Sequence, residues 1–337
     1  MTFDISRQSP LSTILLFLLL AAIFWSSSVM TSPEPLDSFT PIAQSIDRWA
    51  LDNSSITLII TAAIMIWISF LITRLTIRRV EFLEKSYLPA LVFIVVGAGY
   101  NNSELSLRPL LSTLSTVYAI NLLIRGSYYK GLSSGIFIVS GAWVGVSILL
   151  FIQSIILIPM LFLGLIVFRR FDLREWLSLL AGVILPIALT LLTWYILDYD
   201  LLQMWDNIIY RLSRYNGDLD SIFRNLNTLH WSFIITIVIL FIISVVSYLT
   251  TRRHRTVKYQ SPISFFIWFT LFICAMSLLT PLRTIYYMPL VALPLSILLS
   301  SSFNGRKASF FSNFLYAMLI ITAVAITIFP TIEQLIN

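Results

Sequence analysis

The chain has one cysteine, Cys274, and two histidines, His230 and His254, in 337 residues. A disulfide within the chain is therefore excluded, and so is the thiolate or multi-histidine set that usually holds zinc. Charge is scarce as well: charged residues make up 11% of the chain against 58% hydrophobic, and mean hydropathy is +0.89. A water-soluble core cannot enclose that much apolar side chain, so lipid must be the solvent for most of the chain. The formal charge of +6 comes with no nucleic-acid motif; the basic residues stand in short clusters between apolar runs, as topology signals do. No nucleic acid is expected as a partner. The expected partner is the lipid bilayer.

What is abundant is apolar runs of spanning length, about 20 residues being enough for one helical crossing. They fall near 11–30, 56–73, 87–101, 107–125, 133–150, 153–169, 176–197, 231–250, 262–280, 285–302 and 310–330. The fold class is accordingly all-α, a polytopic bundle of about eleven spans forming one transmembrane domain over 1–337. Arg7 precedes the first run, which carries no small-x-small cleavage site, so that run reads as a retained helix rather than a signal peptide.

Charge sets the expected orientation. Lys130 and the Arg169, Arg170 pair bound an uncharged stretch, so both of its ends want the same side, and it must turn near Gln153 and Ser154. The same reasoning folds Leu88 to Ile124 into a hairpin with the tip GYNNSELS. With the N-terminus cytoplasmic and the C-terminus outside, sixteen of the 22 basic residues lie inside; Arg48, Arg108, Arg211, Arg214, Arg224 and Arg283 lie outside. A bacterial cytoplasmic membrane is the expected location.

Eleven of the 16 acidic residues fall on the predicted outer side, mostly in two loops. The first, TSPEPLDSFTPIAQSIDRW, holds Glu34 and Asp37 directly after the first helix. A carboxylate held there can take a proton from an acceptor hydroxyl if desolvated, or orient a metal-bound phosphate otherwise. Asp37 is the preferred base and Glu34 the next; an ordinary solvated loop with Asp and Pro in turns fits the same residues. In the second loop Leu201, Leu202, Trp205, Ile208, Ile209 and Leu212 recur at helical spacing, which predicts an interfacial amphipathic helix within 198–230. No Asp, Glu or Lys falls in the middle of a span, which counts against an ion-coupled carrier.

The stretch TPLRTIYYMPLVALPLSILLS begins with Arg283, Tyr286 and Tyr287 and carries Pro289 and Pro294. The arginine can bind an anion at the outer mouth, the tyrosines can flank a lipid headgroup, and the prolines would loosen the helix below. An aromatic belt with one snorkelled arginine is the plainer reading of the same residues.

Three stretches together resemble the GT-C superfamily of membrane glycosyltransferases. They are the acidic first outer loop, the segment SGAWVGVSILLFIQSIILIPMLFLGLIVFRRFDLREWLSLLAGVILPIALTLLTWYILD, and LRTIYYMPLVALPLSILL. The chain also resembles an uncharacterised bacterial multi-pass family, which brings no function with it. The GT-C resemblance implies transfer of a sugar from a polyprenyl-phosphate carrier to a hydroxyl of a protein, glycan or lipid at the outer face. It implies Asp37 or Glu34 as the catalytic carboxylate and Arg283 at the carrier phosphate, with Arg211, Arg214, Arg108, Tyr286 and Tyr287 beside the substrate. It allows a divalent cation as cofactor. The first loop departs from the superfamily pattern: the spacing is Glu34-x-x-Asp37, with no Asp-Asp or Glu-x-Asp pair. Two other classes compete, a lipid-linked glycan flippase or exporter and a non-catalytic membrane subunit of an envelope complex. A transferase needs polar lining only on the outer half, a flippase needs it through the whole membrane, and a scaffold needs none.

Overall fold

Without water in the hydrocarbon, a backbone can satisfy its own polar groups only as a helix or a closed barrel, and runs this apolar and this long favour the helix. A computed structural model describes residues 10–28, 40–80, 87–99, 106–129, 134–198, 228–251, 257–279, 288–301 and 310–336. Among them there are twelve α-helices and no strand. They are α1 (Pro10–Ser28), α2 (Pro41–Asp52), α3 (Ser54–Leu75, ending in a π turn at Thr76–Val80), α4 (Leu88–Ala98), α5 (Leu107–Tyr128) and α6 (Ser134–Leu150). After a 3-10 turn at Ile152–Ile156 come α7 (Leu157–Val167), α8 (Leu173–Ile196), α9 (Thr228–Thr251), α10 (Val257–Leu279), α11 (Met288–Ser301) and α12 (Phe310–Ile336).

Each of the eleven expected segments holds a helix. By length and composition four of them, α3, α5, α8 and α9, are long and apolar enough to cross a membrane, and shorter apolar stretches lie in the others, among them Leu16–Trp25, Pro262–Ala275 and Phe314–Ile328. The interfacial helix expected within 198–230 lies outside the described residues. Helix α2, which the periodicity reading passed over, is the twelfth. Its signal is local: Thr40 is an N-cap whose hydroxyl accepts from the Ala43 N–H at 3.1 Å, and Pro41 opens the first turn.

Burial sorts the helices by solvent. Every residue of α4 is buried, as is all of α11 except Met288, Val291 and Ser301, so this pair is apolar all round and forms the centre. The two pack on each other, with α3, α1 and α12 also against α4 and α10, α9 and α5 also against α11. The tip of the expected hairpin lies outside the described residues, and among those described α4 packs chiefly against helices other than α5. The side chain of Gly97 is absent where Met65 of α3 and Ala292 of α11 press in, so α4 seats on these helices instead. Pro289 and Pro294 are buried in that packing. Helix α9, by contrast, leaves Ile235, Val238, Ile242, Val246 and Leu249 exposed along one face, a stripe that suits lipid tails.

Helix α6 is held from two sides. Gly141 and Gly145, a small-xxx-small pair, meet Leu179, Gly182, Val183 and Pro186 of α8 at backbone distance. The contacts advance together along both helices, so α6 and α8 are parallel. The 3-10 turn and α7 must then return the chain to the starting end; their rise of about 26 Å equals that of α6. The turn expected near Gln153 and Ser154 is this 3-10 segment.

At the other end of α8, α7 stops in a Schellman motif: Arg169 has φ 57°, its N–H reaches Ile166 O, and the Arg170 N–H reaches Leu165 O. The Arg170 guanidinium then donates to the carbonyls of Ser127 (2.8 Å) and Tyr129 past the end of α5 and pairs with Glu175 at 3.5 Å. Segments assigned to the cytoplasmic side thus join one another.

A methyl group on Gly182 would lie 2.1 Å from the Ile138 carbonyl oxygen, a backbone atom that cannot swing aside. Gly182→Ala is expected to lower stability by about 1–3 kcal/mol through forced separation of α6 and α8. Gly135→Ala, with nothing within 4 Å, should be neutral or slightly stabilising. Thermal unfolding in detergent checks both; an unchanged melting temperature for Gly182→Ala would sink the close-packing account.

Candidate functional site

The predicted outer end is where α2 meets the tops of α5 and α6. Helix α2 is amphipathic: Ala43 and Ala50 are buried against the bundle with Asp47 between them, Gln44, Ser45, Arg48 and Asp52 face outward, and Ile42 and Trp49 flank them exposed. It is fastened along its length. The Thr40 hydroxyl donates to Leu149 O at 3.0 Å, and Arg108 Nε donates to Asp47 Oδ1 at 2.6 Å. At the far end the Thr57 hydroxyl donates to Ala50 O at 3.1 Å, while Asn53 donates to Trp49 O, fixing the corner into α3.

Among the described residues Arg108 is the charged side chain most fully enclosed here, 2% exposed in the first turn of α5. A cation in that position is opposed by the helix dipole and by its own desolvation, and the Asp47 carboxylate offsets part of that cost. The carboxylate pays in turn, for burial pushes its pKa above the ordinary value against the opposing pull of the Arg108 charge and hydrogen bond. Its second oxygen, Oδ2, is buried with no hydrogen-bond partner among the described residues.

One turn below Arg108 begins a cluster of enclosed hydroxyls. Ser112 lies 2.7 Å from Ser147 and 2.6 Å from Ser154, and Ser147 lies 3.2 Å from Thr116. All four are buried. The cluster ties α5, α6 and the 3-10 turn together, and Ser147 and Thr116 also donate to Ser112 O, so its donors have acceptors within the protein. Among the described residues no group of three His, Cys, Asp or Glu stands together as metal ligands.

Of the site residues expected from the sequence, Arg108 is placed in this constellation, paired with Asp47. Glu34, Asp37, Arg211, Arg214, Arg283, Tyr286 and Tyr287 lie outside the described residues. Asp47 was legible as one of the first-loop carboxylates but not as the partner of Arg108, 61 positions away. The signal that could have raised it is the Thr40-Pro41 helix start followed by buried Ala43 and Ala50, which puts position 47 on the packed face.

The family model DUF6427, a family of unknown function, matches residues 46–336, and the chain belongs to that family. The match includes Asp47, Arg108 and Arg283 and begins after Glu34 and Asp37. No curated protein and no solved structure matches the chain.

Removing either member of the pair leaves a buried charge behind. Asp47→Ala and Arg108→Ala are each expected to cost about 3 kcal/mol, and the double variant Asp47→Leu/Arg108→Met less than the sum of the two, in thermal or denaturant unfolding. With Arg108→Met, burial alone acts on Asp47 and raises its carboxyl further. Because the folded pKa then lies above the unfolded one, that variant should be most stable below the ordinary carboxyl range and lose stability as pH rises through the raised value. A variant that instead loses stability on acidification through that range would contradict the assignment.

Proposed function

We propose that this DUF6427 protein is a membrane glycosyltransferase that moves a sugar from a polyprenyl-phosphate carrier to an acceptor hydroxyl at the outer face of a bacterial cytoplasmic membrane. The observation that carries the reading is the docked α2. The acidic segment with Glu34 and Asp37 runs in sequence straight into Thr40, whose side chain is fastened to α6, and α2 is fastened again to α5 through Asp47. A base must be held in register with its substrate, and a short tether to a fixed helix is how a loop residue acquires that constraint. One enclosed polar cluster, Arg108 with Ser112, Ser147 and Ser154, stands at the predicted outer end, where a transferase needs lining, while enclosed Thr76, Glu175 and Ser300 stand toward the other end.

In this mechanism Asp37 accepts the acceptor hydroxyl proton as the oxygen attacks the anomeric carbon. The carbon–phosphate oxygen bond breaks on the opposite face with inversion, and the lipid phosphate leaves with the electron pair. Glu34 supports the base. Arg283, with Arg211 and Arg214, meets the charge that grows on the leaving phosphate, and Tyr286 and Tyr287 flank the headgroup. A divalent cation on that phosphate would serve the same electrostatic end.

The test is donor consumption by the purified protein in nanodiscs, with radiolabelled polyprenyl-phosphate sugars and a membrane extract as acceptor. Asp37→Asn should reduce turnover by about 10²-fold or more, and Glu34→Gln less. Arg283→Ala should weaken donor use more than acceptor use. Turnover untouched by Asp37→Asn, or full activity in Arg283→Ala, would remove those assignments. Intact donor that merely equilibrates across the bilayer would replace the transferase by a flippase.

A further inference from the structure

Of the three arginines at the corner between α7 and α8, Arg169, Arg170 and Arg174, one is turned inward and serves structure. Arg170 donates to the carbonyls of Ser127 and Tyr129 and pairs with Glu175, while its own carbonyl accepts from Trp176 Nε1 at 2.9 Å. With the Schellman turn at Arg169 these bonds give the corner a fixed shape. Arg169 and Arg174 are exposed and form no ion pair among the described residues. Phe171 and Leu173, between them in sequence, are 69% and 77% exposed. A further exposed arginine, Arg125, stands at the end of α5 that Arg170 grips, its guanidinium 5.8 Å from the centre of the Tyr129 ring. Against these three cations the corner carries one exposed carboxylate, Asp172, since Glu175 is buried against Arg170.

Basic and apolar side chains interleaved on a rigid exposed corner suit neither water nor hydrocarbon alone. They suit the headgroup boundary, where rings and leucines enter the acyl region while guanidinium groups stay with phosphate. The wider charge balance agrees: the sixteen basic residues of the predicted inner side accompany five acidic ones, the other eleven lying outside. Helix α8 extends the arrangement. It packs chiefly on α6, and below Arg174 at helical spacing stand Leu177, Leu185 and Leu192, all exposed.

We propose that this corner is a binding site for an anionic glycerophospholipid of the inner leaflet. Arg169 and Arg174, with Arg125 beside them, hold the phosphodiester; Phe171 and Leu173 seat against the glycerol and upper acyl carbons; one acyl chain lies along the Leu177, Leu185 and Leu192 stripe. Arginine suits the task because its planar fork engages two phosphate oxygens at once. The site stands at the end opposite the transfer site proposed above and does not depend on it.

Native mass spectrometry of the full-length protein in neutral detergent, with phosphatidylglycerol or phosphatidylcholine titrated in, counts the lipid held. The native protein is expected to bind phosphatidylglycerol about 30-fold more tightly, about fivefold for each of Arg169 and Arg174. Arg169→Gln/Arg174→Gln should lose most of that preference, and Phe171→Ala should weaken both lipids alike. Arg48→Gln, which removes an exposed charge from α2 at the other end, should leave it intact. Equal binding of the two lipids by the native protein overturns the proposal with no variant involved. So does a folded double variant that keeps the preference, or a loss in Arg48→Gln as large as in the double variant. Displacement of the bound lipid by an equal concentration of inorganic phosphate would overturn the lipid as the occupant.

Discussion

Everything in this fold follows from the absence of water around it: each polar group inside the hydrocarbon must find its partner in the protein. Helices answer that demand for the backbone. The buried hydroxyls answer it one by one, Ser69, Thr73, Thr113 and Thr116 each donating to the carbonyl four residues earlier in its own helix. Apolar burial cannot then hold the helices together by itself, since lipid tails are as apolar as leucine. Contact at backbone distance does so instead, as between α6 and α8, where glycines let carbonyls of one helix approach the other.

The same demand organises the two ends. Residues expected on the outer side find partners there, Thr40 with Leu149 and Asp47 with Arg108. Those expected inside do likewise, Arg170 with the end of α5 and with Glu175. No described ion pair crosses from one set to the other. The parallel run of α6 and α8 requires the intervening α7 to reverse, which is the turn expected from the charge pattern around Gly131 to Phe168.

Hydropathy made the helices legible because apolar length is a property of each segment alone. Their neighbours were not legible: the α4 and α11 pairing depends on a missing side chain at Gly97 fitting Met65 and Ala292, a match between distant segments that no single stretch displays. Helix α2 escaped for a different reason. Half of its twelve residues are apolar, but they are interleaved with Gln44, Asp47, Arg48 and Asp52, so no spanning run marks it and its cap carries the signal instead. Of the site, composition pointed to the outer carboxylates and to Arg108, and only three dimensions paired Arg108 with Asp47.

Helix α5 carries the comparison that gives this pair its weight. At its C-terminal end Arg170 donates to the last carbonyls, where the helix dipole favours a cation and solvent reaches the side chain, so stability alone accounts for it. At its N-terminal end Arg108 stands against the dipole, enclosed, and matched by a carboxylate with one dry oxygen. A pair of apolar residues of similar volume would fasten α2 to α5 at no such cost, because buried ion pairs seldom outperform hydrophobic replacements. Local rules that are obeyed at one end of a helix and broken at the other direct attention to the broken end, where something other than packing must be served. Here that end lies under the helix that follows the acidic loop and at the head of the buried serine cluster.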